Sequence, residues 1–265
     1  MNRPRCPLAA LLLAALLLPA LHPVQAADSG DAASGVKASD AKASDPQAIA
    51  IAERVMAALG GRQAWDQTHF LHFTFAGRRT HDWDKLTGRH RLEGTTREGQ
   101  HYVVLQNVVT REGGEAFLDG QKLSGDAAKE YLDNAYGAWI NDTYWLLMPY
   151  KLLDPGVILT YDRAEEANGT TYDVLRLRFE HVGLTPGDTY WAYINRETGL
   201  MDRWAYFLES YEAGTPPTEW EWTGWSRYGH ILLAPNRLNP ASGRDLPLSD
   251  IAVSDSVPDS VFTTP

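Results

Sequence analysis

The feature that most constrains this chain is an alternation of apolar and polar residues that begins at His69 and recurs along most of the sequence. Successive side chains of a β-strand point to opposite faces, so a spacing of two indicates strands with one buried face. Two such apolar sets are Leu71, Phe73 and Phe75, and Leu175, Leu177 and Phe179. The pattern predicts a mainly β fold.

Short turn sequences separate these strands. Residues 84–88 end in a glycine that can adopt the left-handed conformation of a hairpin, and residues 119–120, 168–169 and 195–199 repeat the pattern. Tight hairpins join antiparallel neighbours, so we predict an antiparallel meander. Further strands are predicted near residues 157–161, 172–180, 188–195, 200–209, 218–225 and 231–238, before an extended C-terminal tail.

Two segments have helical spacing instead. Asp45-Pro46 supplies a capping carboxylate and a first-turn proline for a helix that Gly60-Gly61 ends. Residues 124–150 form a helical insertion in the meander, which we expect to split into two helices near Gly137 and Asn141-Asp142. The chain is therefore predicted to be α+β with β dominant.

The N-terminal region predicts export. Two arginines precede an apolar run from Leu8 to Leu21, and small residues follow, which is typical of a signal peptide over residues 1–26 that is cleaved after Ala26. The run is short for a bilayer span, so we expect no stable membrane anchor. Residues 27–44 have the composition of a flexible leader, which leaves residues 45–265 as a single domain.

The net charge limits the classes of partner that the chain can bind, and the cysteine content indicates how its fold is held. The formal net charge of -10 disfavours binding to nucleic acid or to anionic lipid surfaces. The single cysteine, Cys6, precedes the apolar run, so the exported domain would contain no disulfide and would be held by packing alone.

Several stretches resemble a family of bacterial periplasmic proteins of undefined function, related to the outer-membrane lipoprotein-sorting proteins LolA and LolB. The matching stretches are Ala58-Leu59-Gly60-Gly61 with Trp65, Tyr144 to Leu152 with Asp154-Pro155-Gly156, Asp188-Thr189-Tyr190-Trp191, and Asn195 to Gly199. The Trp-Leu-Leu-Met-Pro sequence that begins at Trp145 is the most specific of them.

The resemblance implies a strongly curved antiparallel sheet, an unclosed β-barrel, whose concave face is covered by the N-terminal helix and the helical insertion. In the sorting proteins that cavity holds the acyl chains of lipoproteins, so the implied partner is a lipid or a lipoprotein acyl chain. This sequence has a longer insertion, and none of its residues matches the ligand contacts of those proteins.

Aromatic content is the strongest chemical signal, with 9 Trp and 12 Tyr. Such residues can line an apolar cavity while offering polar ring edges to a ligand, although an ordinary packed core uses them in the same way. The predicted concave lining is Leu71, Phe73, Phe75, Trp139, Trp145, Leu175, Leu177, Phe179, Trp220 and Trp222.

The other chemically active residues have ordinary explanations. His81, His90 and His101 could meet across neighbouring strands, but no dense ligand spacing occurs, and we predict no metal site. Ser226 lacks the strand-turn-helix context of a hydrolase nucleophile, and Glu219 lies on the face opposite Trp220. Glycine loops for phosphate are missing, so we expect neither a cofactor nor enzymatic activity.

The leading hypothesis is a soluble periplasmic carrier or binding protein for an apolar or lipid-like ligand. The alternative is a structural or interaction protein of the cell envelope, with a filled core and an envelope protein as its partner.

Overall fold

β-Strands dominate the computed structural model, which describes residues 44–180 and 184–265. The signal peptide and nearly all of the leader predicted above lie outside these residues. The helices are α1 (Pro46–Ala58), α2 (Arg62–Gln67) and α3 (Gly125–Leu147), with short 3-10 helices at Met148–Lys151 and Asp259–Phe262. The strands are β1 (Phe70–Phe75), β2 (Arg79–Asp84), β3 (Arg89–Thr95), β4 (His101–Asn107), β5 (Glu115–Leu118), β6 (Gln121–Lys122), β7 (Val157–Ala167), β8 (Thr170–Phe179), β9 (Thr189–Asn195), β10 (Met201–Phe207), β11 (Thr218–Thr223), β12 (Ser226–Tyr228), β13 (Ile231–Leu233), β14 (Asn236–Asn239), β15 (Arg244–Asp245) and β16 (Leu248–Ser254).

Two seven-stranded sheets and one small hairpin contain these strands. Sheet A has the order β16-β1-β2-β3-β4-β5-β6, and sheet B has the order β15-β14-β11-β10-β9-β8-β7. Neighbouring strands pair antiparallel. The mainly β, antiparallel prediction is confirmed, as are the hairpins at residues 84–88, 119–120, 168–169 and 195–199.

The sheets are joined along one side and left open along the other. Two residues, Leu246 and Pro247, connect β15 of sheet B to β16 of sheet A. At the opposite side β6 and β7 are edge strands, and α3 connects them. The fold is therefore an unclosed barrel, as the resemblance implied, and the end of α3 enters it: Leu146 and Leu147 belong to the same buried core as residues of both sheets.

Helix α1 forms as its sequence predicts. The Asp45 carboxylate accepts a hydrogen bond from the Gln47 backbone N–H at 2.8 Å, and Pro46 occupies the first turn. Gly60, which follows the helix, has φ +120°, and a Cβ there would lie 2.7 Å from the His230 carbonyl oxygen. Only glycine fits this close approach, which explains why the helix ends where it does.

Three predictions about chain course are wrong. The single strand predicted near residues 231–238 is two strands, β13 and β14, which belong to different sheets. Helix α3 runs without a break through Gly137 and Asp142, because Ala135 and Ala138 pack on sheet A and the Asp142 side chain bonds to that sheet instead of capping a new helix. The C-terminal tail contributes β16, which pairs with β1.

Within the described residues, no helix combines the length and apolar character needed to cross a membrane.

Candidate functional site

All ten residues predicted to line the concave face lie in one hydrophobic core or pack against it. Leu71, Phe73, Phe75, Leu175, Leu177, Trp220 and Trp222 are buried, whereas Trp139, Trp145 and Phe179 are half-buried. The structure brings these side chains together as packed neighbours. Their contact with a ligand stays a prediction.

The side of this core that faces sheet B is aromatic. Three buried tryptophans, which we call the aromatic floor, project inward from the sheet: Trp204, Trp220 and Trp222. Five half-buried rings, the aromatic rim, stand between the floor and the edge of the core: Tyr144, Trp145, Phe179, Tyr190 and Tyr206. Burial raises the pKa of both Tyr144 and Tyr190, so their hydroxyls stay protonated and uncharged.

Trp145 covers the floor. Its ring lies 4.7 Å from Trp204 and 5.1 Å from Trp220 between centroids, with interplanar angles of 73° and 88°. Tyr144, the preceding residue, reaches Tyr190 at 5.5 Å. These edge-to-face contacts join α3 to sheet B without a hydrogen bond between the rings.

The aromatic interior also contains donors without acceptors. In the part of the chain that the structure describes, six buried indole N–H groups have no hydrogen-bond partner: those of Trp83, Trp139, Trp204, Trp220, Trp222 and Trp225. A buried polar group without a partner costs free energy, and protein interiors ordinarily provide one. An acceptor such as an ester or carboxylate oxygen would satisfy these groups.

Arg237 lies directly beneath the floor and is fully buried. Its guanidinium stacks on Trp222, with the central carbon 3.3 Å from the ring centroid. It donates to the carbonyl oxygens of Trp145 (2.7 and 3.2 Å), Ala234 (2.8 Å) and Asn236 (2.8 Å). Burial lowers the pKa of Arg237, but the carbonyl oxygens and the ring face favour the cation, and a guanidinium is effectively always protonated in proteins.

On the sheet A side, α3 is held by a buried chain of hydrogen bonds. Arg79 binds Asp142 with two bonds of 2.8 and 2.9 Å. His81 bonds to Asp142 at 2.9 Å and to His90 at 3.0 Å, and Gln106 continues the chain to His90 at 3.1 Å. Because the carboxylate only accepts, His81 donates through Nε2. The Gln106 amide N–H donates to His90 Nδ1, so His90 Nε2 donates to His81 Nδ1. Burial and the neighbouring His81 hold the pKa of His90 well below 6.5.

The remaining residues singled out in the sequence lie elsewhere. His101 is exposed and faces Glu93, so it does not join His81 and His90. The described residues include no group of three or more His, Cys, Asp or Glu side chains arranged to hold a metal ion. The exposed Ser226 hydroxyl donates to the Gly224 carbonyl at 3.0 Å.

Open pockets lie outside the aromatic interior. A pocket of about 160 Å³ between β7 and β8 includes only Phe179 of the ten predicted residues. A groove of about 510 Å³ runs along α1, where Arg54 and Arg196 both bind the carboxylate of Asp173. None of the buried residues of the predicted set lines either of these two pockets.

Arg237 and Asp142 are among the site residues that the sequence did not predict. An arginine in a short late strand and an aspartate within a helix carry no local signal of burial, because their partners come from distant segments. The alternation of Arg237 with Leu238 in β14 gave the only clue, and it was ambiguous as to which side chain faces inward.

Three known structures from bacteria have a similar fold. A domain assigned to the outer membrane lipoprotein-sorting proteins of Vibrio parahaemolyticus has a TM-score of 0.41 and 9% identity, and the match covers 82% of this chain and 96% of that one. This chain is similar in fold to that domain. A DUF1329 family protein from Desulfovibrio piger gives a TM-score of 0.43, 11% identity and coverages of 81% and 96%. A LolA superfamily protein from Nitrosomonas europaea has a TM-score of 0.37 and 11% identity, and the match covers 82% of this chain and 97% of that one.

These identities and scores describe a likeness of fold alone. No family model matches the sequence. The search of curated proteins found no match either.

Proposed function

We propose that this protein is a periplasmic binding or carrier protein for an apolar or lipid-like ligand, which it holds between α3 and the aromatic floor. One observation carries the proposal: the floor is an apolar surface with unpartnered indole donors, covered mainly by half-buried rings of a single helix. Such a surface suits a molecule that combines apolar chains with oxygen acceptors.

Entry of a guest requires Trp145 to leave the floor. Its contacts there are ring contacts, which depend on apolar area more than on direction, so an acyl chain can replace them. Each Å² of apolar surface that the guest removes from water contributes about 25 cal/mol, which offsets the loss of the Trp145 contacts. The aromatic interior therefore works as a compartment that is filled by its own side chain when the ligand is absent.

Uptake of an uncharged apolar fluorescent probe tests the proposal. We expect saturable binding of N-phenyl-1-naphthylamine to the full chain, and tighter binding by Trp145→Ala, because the variant leaves the floor uncovered. Trp191→Ala is the matched control, since Trp191 is half-buried on the outer face of sheet B. No saturable uptake by either the wild type or Trp145→Ala would refute carriage.

The second candidate is an interaction protein with a filled core. It is favoured by the close packing of all ten predicted lining residues. It predicts that neither Trp145→Ala nor the wild type binds the probe, while crosslinking in cells recovers an envelope protein.

The proposal includes export and excludes catalysis. Its support is the signal-peptide pattern of residues 1–26 and the absence of a nucleophile-base pair around Ser226 in the described part of the chain. Protein isolated from its native periplasm should begin at Ala27. If the wild-type protein hydrolysed a simple ester and Ser226→Ala did not, the exclusion of catalysis would be contradicted.

A further inference from the structure

Arg237 is a buried cation whose hydrogen bonds go to neutral groups only. All its acceptors are backbone carbonyl oxygens, and no carboxylate of the described residues forms a salt bridge with it. Buried charges in proteins are ordinarily paired with an opposite charge, because removal from water is costly for an isolated ion. The positive charge beneath the aromatic floor therefore has no counter-ion among the described residues.

A purely structural role explains part of this arrangement. Arg237 ties β14 to the end of α3 through the Trp145 carbonyl, and the negative end of the helix dipole favours a cation there. Carbonyl oxygens can be bound equally well by a neutral amide donor, so this role alone does not account for a buried full charge.

The position of Arg237 links the charge to the compartment. Ring contacts of 5.5 Å between Tyr190 and Trp204 and of 5.6 Å between Trp204 and Trp222 lead from the aromatic rim to the ring on which Arg237 stacks. The apolar chain of a ligand that lies along these rings from the rim would reach the Arg237 guanidinium.

Trp145 contacts both the aromatic floor and Arg237. Its ring covers the floor, and its carbonyl accepts two of the Arg237 hydrogen bonds. When the ring is displaced and the end of α3 shifts, Arg237 loses these bonds at the moment when the floor becomes accessible. A carboxylate or phosphate group can then accept the same pair of N–H donors in a bidentate arrangement and supply the missing negative charge.

We propose that the ligand is an amphiphile with a single anionic group at the end of an apolar chain, and that Arg237 binds this group. The inference rests on the proposed function and adds the chemical class of the ligand. A carboxylate and a phosphate share the required chemistry.

Head-group preference tests the inference on the full chain. The probes are hexadecanoate, hexadecyl phosphate and hexadecanol, each at monomeric concentration, measured by displacement of N-phenyl-1-naphthylamine. Wild-type protein should bind at least one anionic probe about tenfold more tightly than hexadecanol, a difference of about 1.4 kcal/mol. Which of the two anions binds more tightly identifies the head group.

Substitution assigns the preference to Arg237. Arg237→Gln keeps hydrogen-bond donors and should bring the anionic probe to within about twofold of hexadecanol, whereas Arg176→Gln, on the outer face of sheet B, should leave the preference unchanged. Equal affinities of the wild type for all three probes would overturn the inference, and this comparison does not depend on the folding of a variant. An equal loss for all three probes in folded Arg237→Gln would assign Arg237 a structural role and also overturn it. If no probe binds at all, the proposed function itself has failed.

Discussion

Helix α3 contacts the two sheets in opposite ways. On sheet A, the buried Asp142 carboxylate is fixed by two part-buried bonds from Arg79 and one buried bond from His81, all directional. On sheet B, the side chains of Tyr144 and Trp145 meet aromatic rings, and the hydrogen bonds from Arg237 go to the Trp145 backbone carbonyl instead of to a side chain. The first contact loses its stability when any partner moves, whereas the second can exchange one apolar surface for another. One helix can thus stay attached to sheet A while its contact with sheet B is replaced.

The largest expected effect is on the sheet A side. Asp142→Ala leaves the Arg79 guanidinium and His81 without their buried acceptor, and it should lower the free energy of unfolding by about 3–5 kcal/mol. Chemical denaturation measures this value. Asp126→Ala, at an exposed position in the first turn of the same helix, is the control and should cost less than about 1 kcal/mol. Equal costs for the two variants would show that the buried chain does not hold α3.

A smaller effect is expected on the sheet B side. Trp145→Ala removes a half-buried ring, so it should cost about 2 kcal/mol, below the 3–5 kcal/mol that is typical of fully buried aromatic residues. The same denaturation experiment applies, with Trp191→Ala as the control for loss of an indole. A larger loss for Trp145→Ala than for Asp142→Ala would reverse the comparison between the two contacts.

The smallest expected effect is a dependence of stability on pH, which comes from a histidine of sheet A. The pKa of His90 is depressed in the folded protein, so below pH 6.5 the unfolded chain takes up a proton that the folded chain does not. The stabilising contribution is complete above pH 6.5 and is lost as the pH falls, by up to about 1.4 kcal/mol per pH unit. His72 acts with the opposite sign, because its hydrogen bond to Asp82 raises its pKa.

The His90 contribution is isolated by comparing the wild type with His90→Gln between pH 7 and pH 5. The variant should lose less stability than the wild type over this range, and the exposed His101→Gln should behave like the wild type. Parallel curves for the wild type and His90→Gln would contradict the assignment of a depressed pKa.

The sequence predicted the inward-facing residues of two strands of sheet B, β8 and β11. Leu175, Leu177, Trp220 and Trp222 all point inward, because alternation within a strand and glycine in a hairpin are local signals. The helical insertion was found for the same reason, and its ends were placed within one residue of those in the structure.

Non-local contacts account for what the sequence did not predict. The pairing of β16 with β1 joins segments at opposite ends of the domain, and neither segment carries a signal for the other. Asp142 stands more than 60 residues from His81, so its burial and the continuity of α3 depend on a partner that the local sequence does not specify. Tertiary contacts override local breaking signals in such cases.

The central claim, that an apolar guest replaces Trp145 on the aromatic floor, is tested most directly by photo-crosslinking. A diazirine-labelled fatty acid would be bound to the full chain and irradiated, and the labelled peptides would be identified by mass spectrometry. The account predicts label on α3 near Trp145 and on the strand segments that carry Trp204 and Trp220. Label confined to the outer face of sheet B, around Trp191 and Tyr193, would contradict it.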